Sequence, residues 1–189
     1  NIGLGISALS ALIGGTNNIA MGLTAADAVT TGTDNVAIGR LAFSASTDGA
    51  DNVAIGRSAL AVSGNDGNCN VAIGYIAMGT GDVSGNDNVG IGRTAGNDLT
   101  TGAENVFVGL GSGGNATTGC RNVALGSNTL GGAITTGNNN IAIGLSTMDA
   151  LTSGTDNIAV GRLAFSASTD GADNIAIGRS ALAVSGNDG

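Results

Sequence analysis

Histidine, lysine, glutamine, proline and tryptophan are all missing from this 189-residue chain. Without His or Lys, neither a histidine-based catalytic triad nor a lysine Schiff base can be built. The carboxylates that remain fall in repeated positions, not in a non-repetitive polar cluster. An enzyme is therefore not expected, and no catalytic, cofactor-binding or metal residue is assigned. Aromatics are nearly absent too: Phe43, Phe107, Phe165 and Tyr75. A compact core of this size normally uses large aromatics to fill its volume, so Val, Ile, Leu and Ala must fill a thin core of uniform cross-section. Positive charge is scarce, with six Arg against 14 acidic residues and a net charge of −8. Such a chain has no basic surface with which to displace counterions from nucleic acid, and an anionic membrane surface is disfavoured for the same reason. No apolar run approaches the roughly 20 residues of a membrane helix, so no membrane insertion by this segment is expected. Cys69 and Cys120 are too few for a disulfide framework. The start on Asn1, without a charged-then-apolar leader, reads as a mature product or an excerpt.

What the chain does have is glycine, 35 residues of it, and a hydrophobic content of 42%. That content is too high for disorder, and the apolar residues are strictly periodic. Internal repetition explains both facts. Asn1 recurs as Asn18, Asn35, Asn52, Asn70, Asn88, Asn105, Asn122, Asn140, Asn157 and Asn174, in steps of 17 or 18 residues. Val or Ile always follows, then a small residue with the single exception of Phe107, then Met or an aliphatic. Gly comes next, as Gly5, Gly22, Gly39, Gly56, Gly74, Gly92, Gly109, Gly126, Gly144, Gly161 and Gly178. A second Gly column lies three residues before each Asn, from Gly15 and Gly32 to Gly171, and Gly189 falls where a twelfth unit would put it. A larger repeat overlies this one. Residues 34–67 recur at 156–189 with only Val/Ile exchanges, an offset of seven units, as in a window on a longer array.

Each unit predicts one short strand, Asn-Val-Ala-Ile-Gly, between glycine turns. Gly serves where the chain turns with positive φ or where backbones approach closely. A helix is excluded by the Gly and β-branched content and by the lack of a 3.6-residue period. One unit buries too few aliphatics to offset the entropy of ordering it, so units must stack and share their ladders. The fold class expected is all-β: a parallel β-roll or β-solenoid with one rung per unit, spanning 1–189 as a single array of eleven units. Along each strand Val and Ile point one way, and Asn and Ala the other. Because both faces are apolar, both require cover. The reading assigns Val and Ile to the coil's interior and the small column (Ala37, Ala54, Ala72, Gly90) to a lateral contact between the chains of a homotrimer. A solvent-facing Ala column on a single-chain solenoid is the alternative. The Asn and Gly columns are structural: an amide ladder and the corners.

The strings NVAIG, NIAIG and NIAVG, each preceded by Gly-x-x, resemble the head repeats of trimeric autotransporter adhesins. Similar Asn-Ala-Ile-Gly repeats occur in phage tail-fibre and related surface proteins. The resemblance implies a left-handed parallel β-roll in which three chains pack side by side. The units here are a few residues longer, which implies a longer outer loop. IGRLAF at 38–43 and IGRSAL at 55–60 echo the hexapeptide left-handed β-helix, but each unit supplies one such hexad where a triangular coil needs three. A single-chain left-handed β-helix is thus the second fold.

Asp34, Asp51, Asp87, Glu104, Asp156 and Asp173 recur just before the Asn, and Arg40, Arg57, Arg93, Arg162 and Arg179 five residues after it. They read either as a recognition stripe or as surface charge that keeps a Gly-rich rod soluble, and exposed pairs are worth little each. Gly85-Asn86-Asp87 resembles half of a calcium-binding Gly-Asp turn, but these turns recur only every 17–18 residues. Thr pairs at 30–31, 100–101, 117–118 and 135–136 skip rungs and make a poor ice-binding face. Asn115-Ala116-Thr117 is one glycosylation sequon. The function expected is a structural or adhesive segment of an extracellular, cell-surface or virion fibre. Its partners would be copies of itself and a host-surface receptor, with no cofactor. A solenoid that binds glycan, host protein, calcium or ice along one face is the alternative. Cys69 and Cys120, three units apart, should not pair within a chain.

Overall fold

The computed structural model describes residues 1–62, 64 and 66–184; Gly189 and its twelfth-unit position lie outside them. Each unit forms one three-residue strand. In order these are β1 (Ile2–Leu4), β2 (Ile19–Met21), β3 (Val36–Ile38), β4 (Val53–Ile55), β5 (Val71–Ile73), β6 (Val89–Ile91), β7 (Val106–Val108), β8 (Val123–Leu125), β9 (Ile141–Ile143), β10 (Ile158–Val160) and β11 (Ile175–Ile177). They make a single sheet in sequence order, every pair parallel. The register never slips: Val36 pairs with Val53, Ala37 with Ala54 and Ile38 with Ile55, and so on along the sheet. Each strand hydrogen-bonds directly to the strand of the next unit, so one unit is one rung. The chain is a parallel β-solenoid with no helix among the described residues.

A coil of so few residues must turn sharply, and it does so with left-handed backbone. Gly39 at φ 131° ends its strand, and Leu41 (φ 59°) and Phe43 (φ 51°) follow, both non-glycine. Asp34, just before the Asn, is a third left-handed position, at φ 60°. Equivalent residues repeat this from rung to rung. Each costs roughly 1–2 kcal/mol of backbone strain, and inter-rung hydrogen bonds oppose the cost. Leu41 N–H donates to Leu23 O in the preceding rung at 3.0 Å, and Phe43 N–H to Ala59 O in the following rung at 2.9 Å. The Ala42 N–H between them donates to Gly39 O of its own rung at 3.3 Å, so three consecutive amides serve the preceding, the same and the following rung. The two glycine columns serve different needs. A Cβ on Gly39 would sit 2.6 Å from Gly56 O, in a backbone conformation that L residues avoid. Gly32 has no positive φ, but a Cβ there would lie 2.5 Å from Gly49 O.

The interior overturns the expected assignment of strand faces. Ala37, Ala54 and Ala72 have no exposed surface, Gly90 is buried likewise, and all four lie inside the coil of a single chain. They cannot be a contact between chains, nor a solvent-facing column. Val36, Ile38, Val53 and Ile55 look outward, half-buried. In β9, Ala142 is 0% exposed while Ile141 and Ile143 on either side are each 37% exposed. The cause is the narrowness of the coil. Opposite the strand runs a second small column, including Ala42, Ala59, Ala77 and Ala95, also fully buried. A Cβ on Gly90 would already be 3.2 Å from Ala95 O, so no aliphatic larger than Ala fits between these walls. The large interior residues sit beyond that pinch: Phe43, Leu60, Met78, Leu130, Met148 and Phe165 in one column, with Val29, Leu99 and Leu151 in another.

Phe107 tests this account, because it puts a large ring in the strand's small column and is still 0% exposed. Its space comes from Gly96 and Gly113, which stand where neighbouring rungs have Met78 and Leu130. A Cβ on Gly113 would lie 2.5 Å from the Phe107 ring. Where the strand is large, the opposite column is small. Phe107→Ala should cost about 3–5 kcal/mol in urea unfolding, as for other buried Phe truncations. Adding Gly113→Leu, which restores the pattern of the other rungs, should recover part of that loss.

Candidate interaction surface

Asn is the one large polar group that shares the inner face, and the structure shows how it is satisfied. The Asn105 amide nitrogen donates to Gly119 O at 2.8 Å, at the next turn, and to Asn88 Oδ1 at 3.0 Å. Its oxygen accepts the backbone N–H of Asn122 at 2.9 Å. The backbone N–H to Oδ1 bond likewise joins Asn18 to Asn35 and continues through Asn52, Asn70, Asn88, Asn140, Asn157 and Asn174. The column is thus the expected amide ladder. It also fastens the strand to the second glycine column, as in Asn35 Nδ2 to Gly49 O at 2.7 Å. In the opposite wall, where Ser or Thr replaces Ala, the hydroxyl finds a backbone acceptor, as in Ser112 Oγ to Ala124 O at 2.8 Å.

The outer face has no such closure. Two aliphatic columns, Val36/Val53/Val71 and Ile38/Ile55/Ile73 with their equivalents, run the full height of the sheet. Nothing among the described residues covers them. Eleven rungs at about 4.8 Å, each with a three-residue strand about 10 Å long, make roughly 500 Å² of outward-facing sheet. Large contiguous apolar patches on soluble chains mark contact surfaces. Sequence reasoning assigned this face to the interior. The available signal was the exception at Phe107: glycines in the facing column compensate it, which only an inward position would require.

The acidic column and the Arg column flank this face and are exposed. Few Arg contacts occur among the described residues. Arg121 Nε donates to Asn139 Oδ1 at 2.8 Å, and Arg57 stacks 5.0 Å from the centroid of the Tyr75 ring. One step further out, the hydrogen bond and negative charge of Asp66 hold the Asp48 carboxyl above the ordinary carboxylate range. The Thr column is partly spent on the backbone: Thr30, Thr100 and Thr152 hydroxyls donate to the carbonyls of Thr47, Thr117 and Thr169. Cys69 and Cys120 are both free; Cys69 is exposed, and Cys120 Sγ accepts Ala103 N–H at 3.4 Å. Asp27, Asn97 and Asp149 each keep one shielded oxygen without a partner, but they occupy rungs three or four apart and do not converge. Among the described residues no three metal-ligating side chains come together, and no cavity opens.

No protein-family model, curated protein or solved structure matches this chain. Its structural columns can be tested directly. Asn105→Ala would strand the Gly119 carbonyl and the Asn122 N–H inside the coil. Urea unfolding should show a loss of about 1–3 kcal/mol for each group left unpaired.

Proposed function

We propose that this chain is a structural rod segment of an extracellular or viral fibre, built by side-by-side association of copies of itself. The single observation that carries the reading is the uncovered Val/Ile face, continuous over eleven rungs of an otherwise closed coil. At roughly 500 Å² and rimmed by charge, it is the kind of contiguous apolar patch that marks an interaction site. The columns of the repeat serve stacking, closure and lateral contact, and the rigid inter-rung bonding suits a part whose task is length and stiffness. The resemblance of the NVAIG strings to adhesin-head and tail-fibre repeats supports a bundle of three chains, with display of a host-binding tip as its use.

The inversion of the strand faces gives the test. Ile55→Arg combined with Ile91→Arg changes only the outer face. Sedimentation equilibrium should show dissociation toward the 17.9 kDa single chain, with the circular-dichroism strand signal kept. Ala54→Arg instead forces a charge into a filled interior. It should destabilise the fold itself, by more than about 4 kcal/mol. If the wild type sediments as a single chain at every concentration, the fibre reading fails.

A further inference from the structure

The charged columns that flank the Val/Ile face are not independent of each other. Each strand carries Arg after its C-terminal end only where it carries Asp before its N-terminal end: Asp34 with Arg40, Asp51 with Arg57, Asp87 with Arg93, Asp156 with Arg162, and Asp173 with Arg179. Rungs neutral at one end are neutral at the other: Asn17 with Leu23, Cys69 with Tyr75, and Asn139 with Leu145. The departures, Glu104 with Leu110 and Arg121 with Ser127, sit on adjacent rungs and offset each other within one column. The Asp87 and Arg93 rung lies outside the duplicated block, so duplication alone does not produce the match.

Within one chain this match serves no contact. The two columns are at opposite ends of each strand, about 20 Å apart over six extended residues. The side chains of Arg40, Arg93, Arg162 and Arg179 reach no partner among the described residues. Across a contact between copies the match becomes useful. Two identical sheets meeting face to face about an axis along the rod run their strands in opposite directions. The acidic edge of one copy then lies against the Arg edge of the next, rung for rung, and three copies around such an axis do the same. Turning one rod end over end would set acid against acid and Arg against Arg, which is repulsive.

We infer that the Asp and Arg columns are the two halves of an ion-pair ladder between chains, which holds copies of this chain parallel and in register. The inference rests on self-association through the Val/Ile face and adds its polarity. Charge of this kind discriminates among arrangements that apolar contact alone would allow.

Rung five supplies the experiment, because exposed Cys69 stands in the acidic column and Tyr75 in the Arg column of the same rung. The full chain carrying Tyr75→Cys and Cys120→Ser is treated with a bis-maleimide too short to span one chain's own two edges. An equimolar mixture of nitrogen-15-labelled and unlabelled protein identifies links between chains by mass. The result expected is a predominant link from position 69 of one chain to position 75 of another. Links joining 69 to 69 or 75 to 75 would overturn the inference, as would an oligomer with no link at this rung; both would leave self-association standing. A protein monomeric throughout would overturn both.

Discussion

The rest of the structure depends on how close the two walls of the coil come. With 17 or 18 residues per turn, the strand and the segment opposite it approach until small side chains fill the space between them, except where glycines make room for Phe107. That one distance places the small column inside and drives Val and Ile outward. It also sets Asn in the same interior, where its amide must be fully bonded, and the repeat pitch provides the partners above, below and across. The left-handed residues at each corner follow from the same tight closure. Strain is distributed at up to three positions in each rung and opposed by bonds between rungs, so no rung is stable apart from its neighbours.

Much of this was legible in the sequence. The 17–18-residue period, the strand position, the one-rung pitch and the Asn ladder all follow from columns that can be aligned by eye. The assignment of strand faces was not. Hydrophobicity ranks Val and Ile above Ala, so the usual inference buries them; but interior volume, not hydrophobicity, decides which face turns inward here. The spacing between walls depends on backbone path through the corners, and non-glycine residues such as Leu41 and Phe43 give no local sign of φ > 0. Phe107 together with Gly96 and Gly113 was the readable clue. A correlated large-for-small exchange across columns means contact.

The outer surface then has a consistent composition. Its centre is aliphatic, its margins are charged, and the charge is segregated by edge and matched by rung. A net charge of −8 favours solubility of single chains, while in the proposed assembly the matched margins permit close approach only in one polarity. In that proposed assembly apolar area supplies the attraction and the charged edges its direction. Stacking along the rod uses backbone ladders, and the proposed packing across it uses side chains.

The central claim is that the aliphatic columns, not the small column, form the surface between chains. Carbene footprinting with mass spectrometry measures this at residue resolution, on the assembled protein and again after dilution. The account predicts that Val53 and Ile55 are protected in the assembly and become labelled on dissociation, with Ala54 unlabelled in both states. Labelling that appears at Ala54 on dissociation, with Val53 and Ile55 still protected, would contradict it.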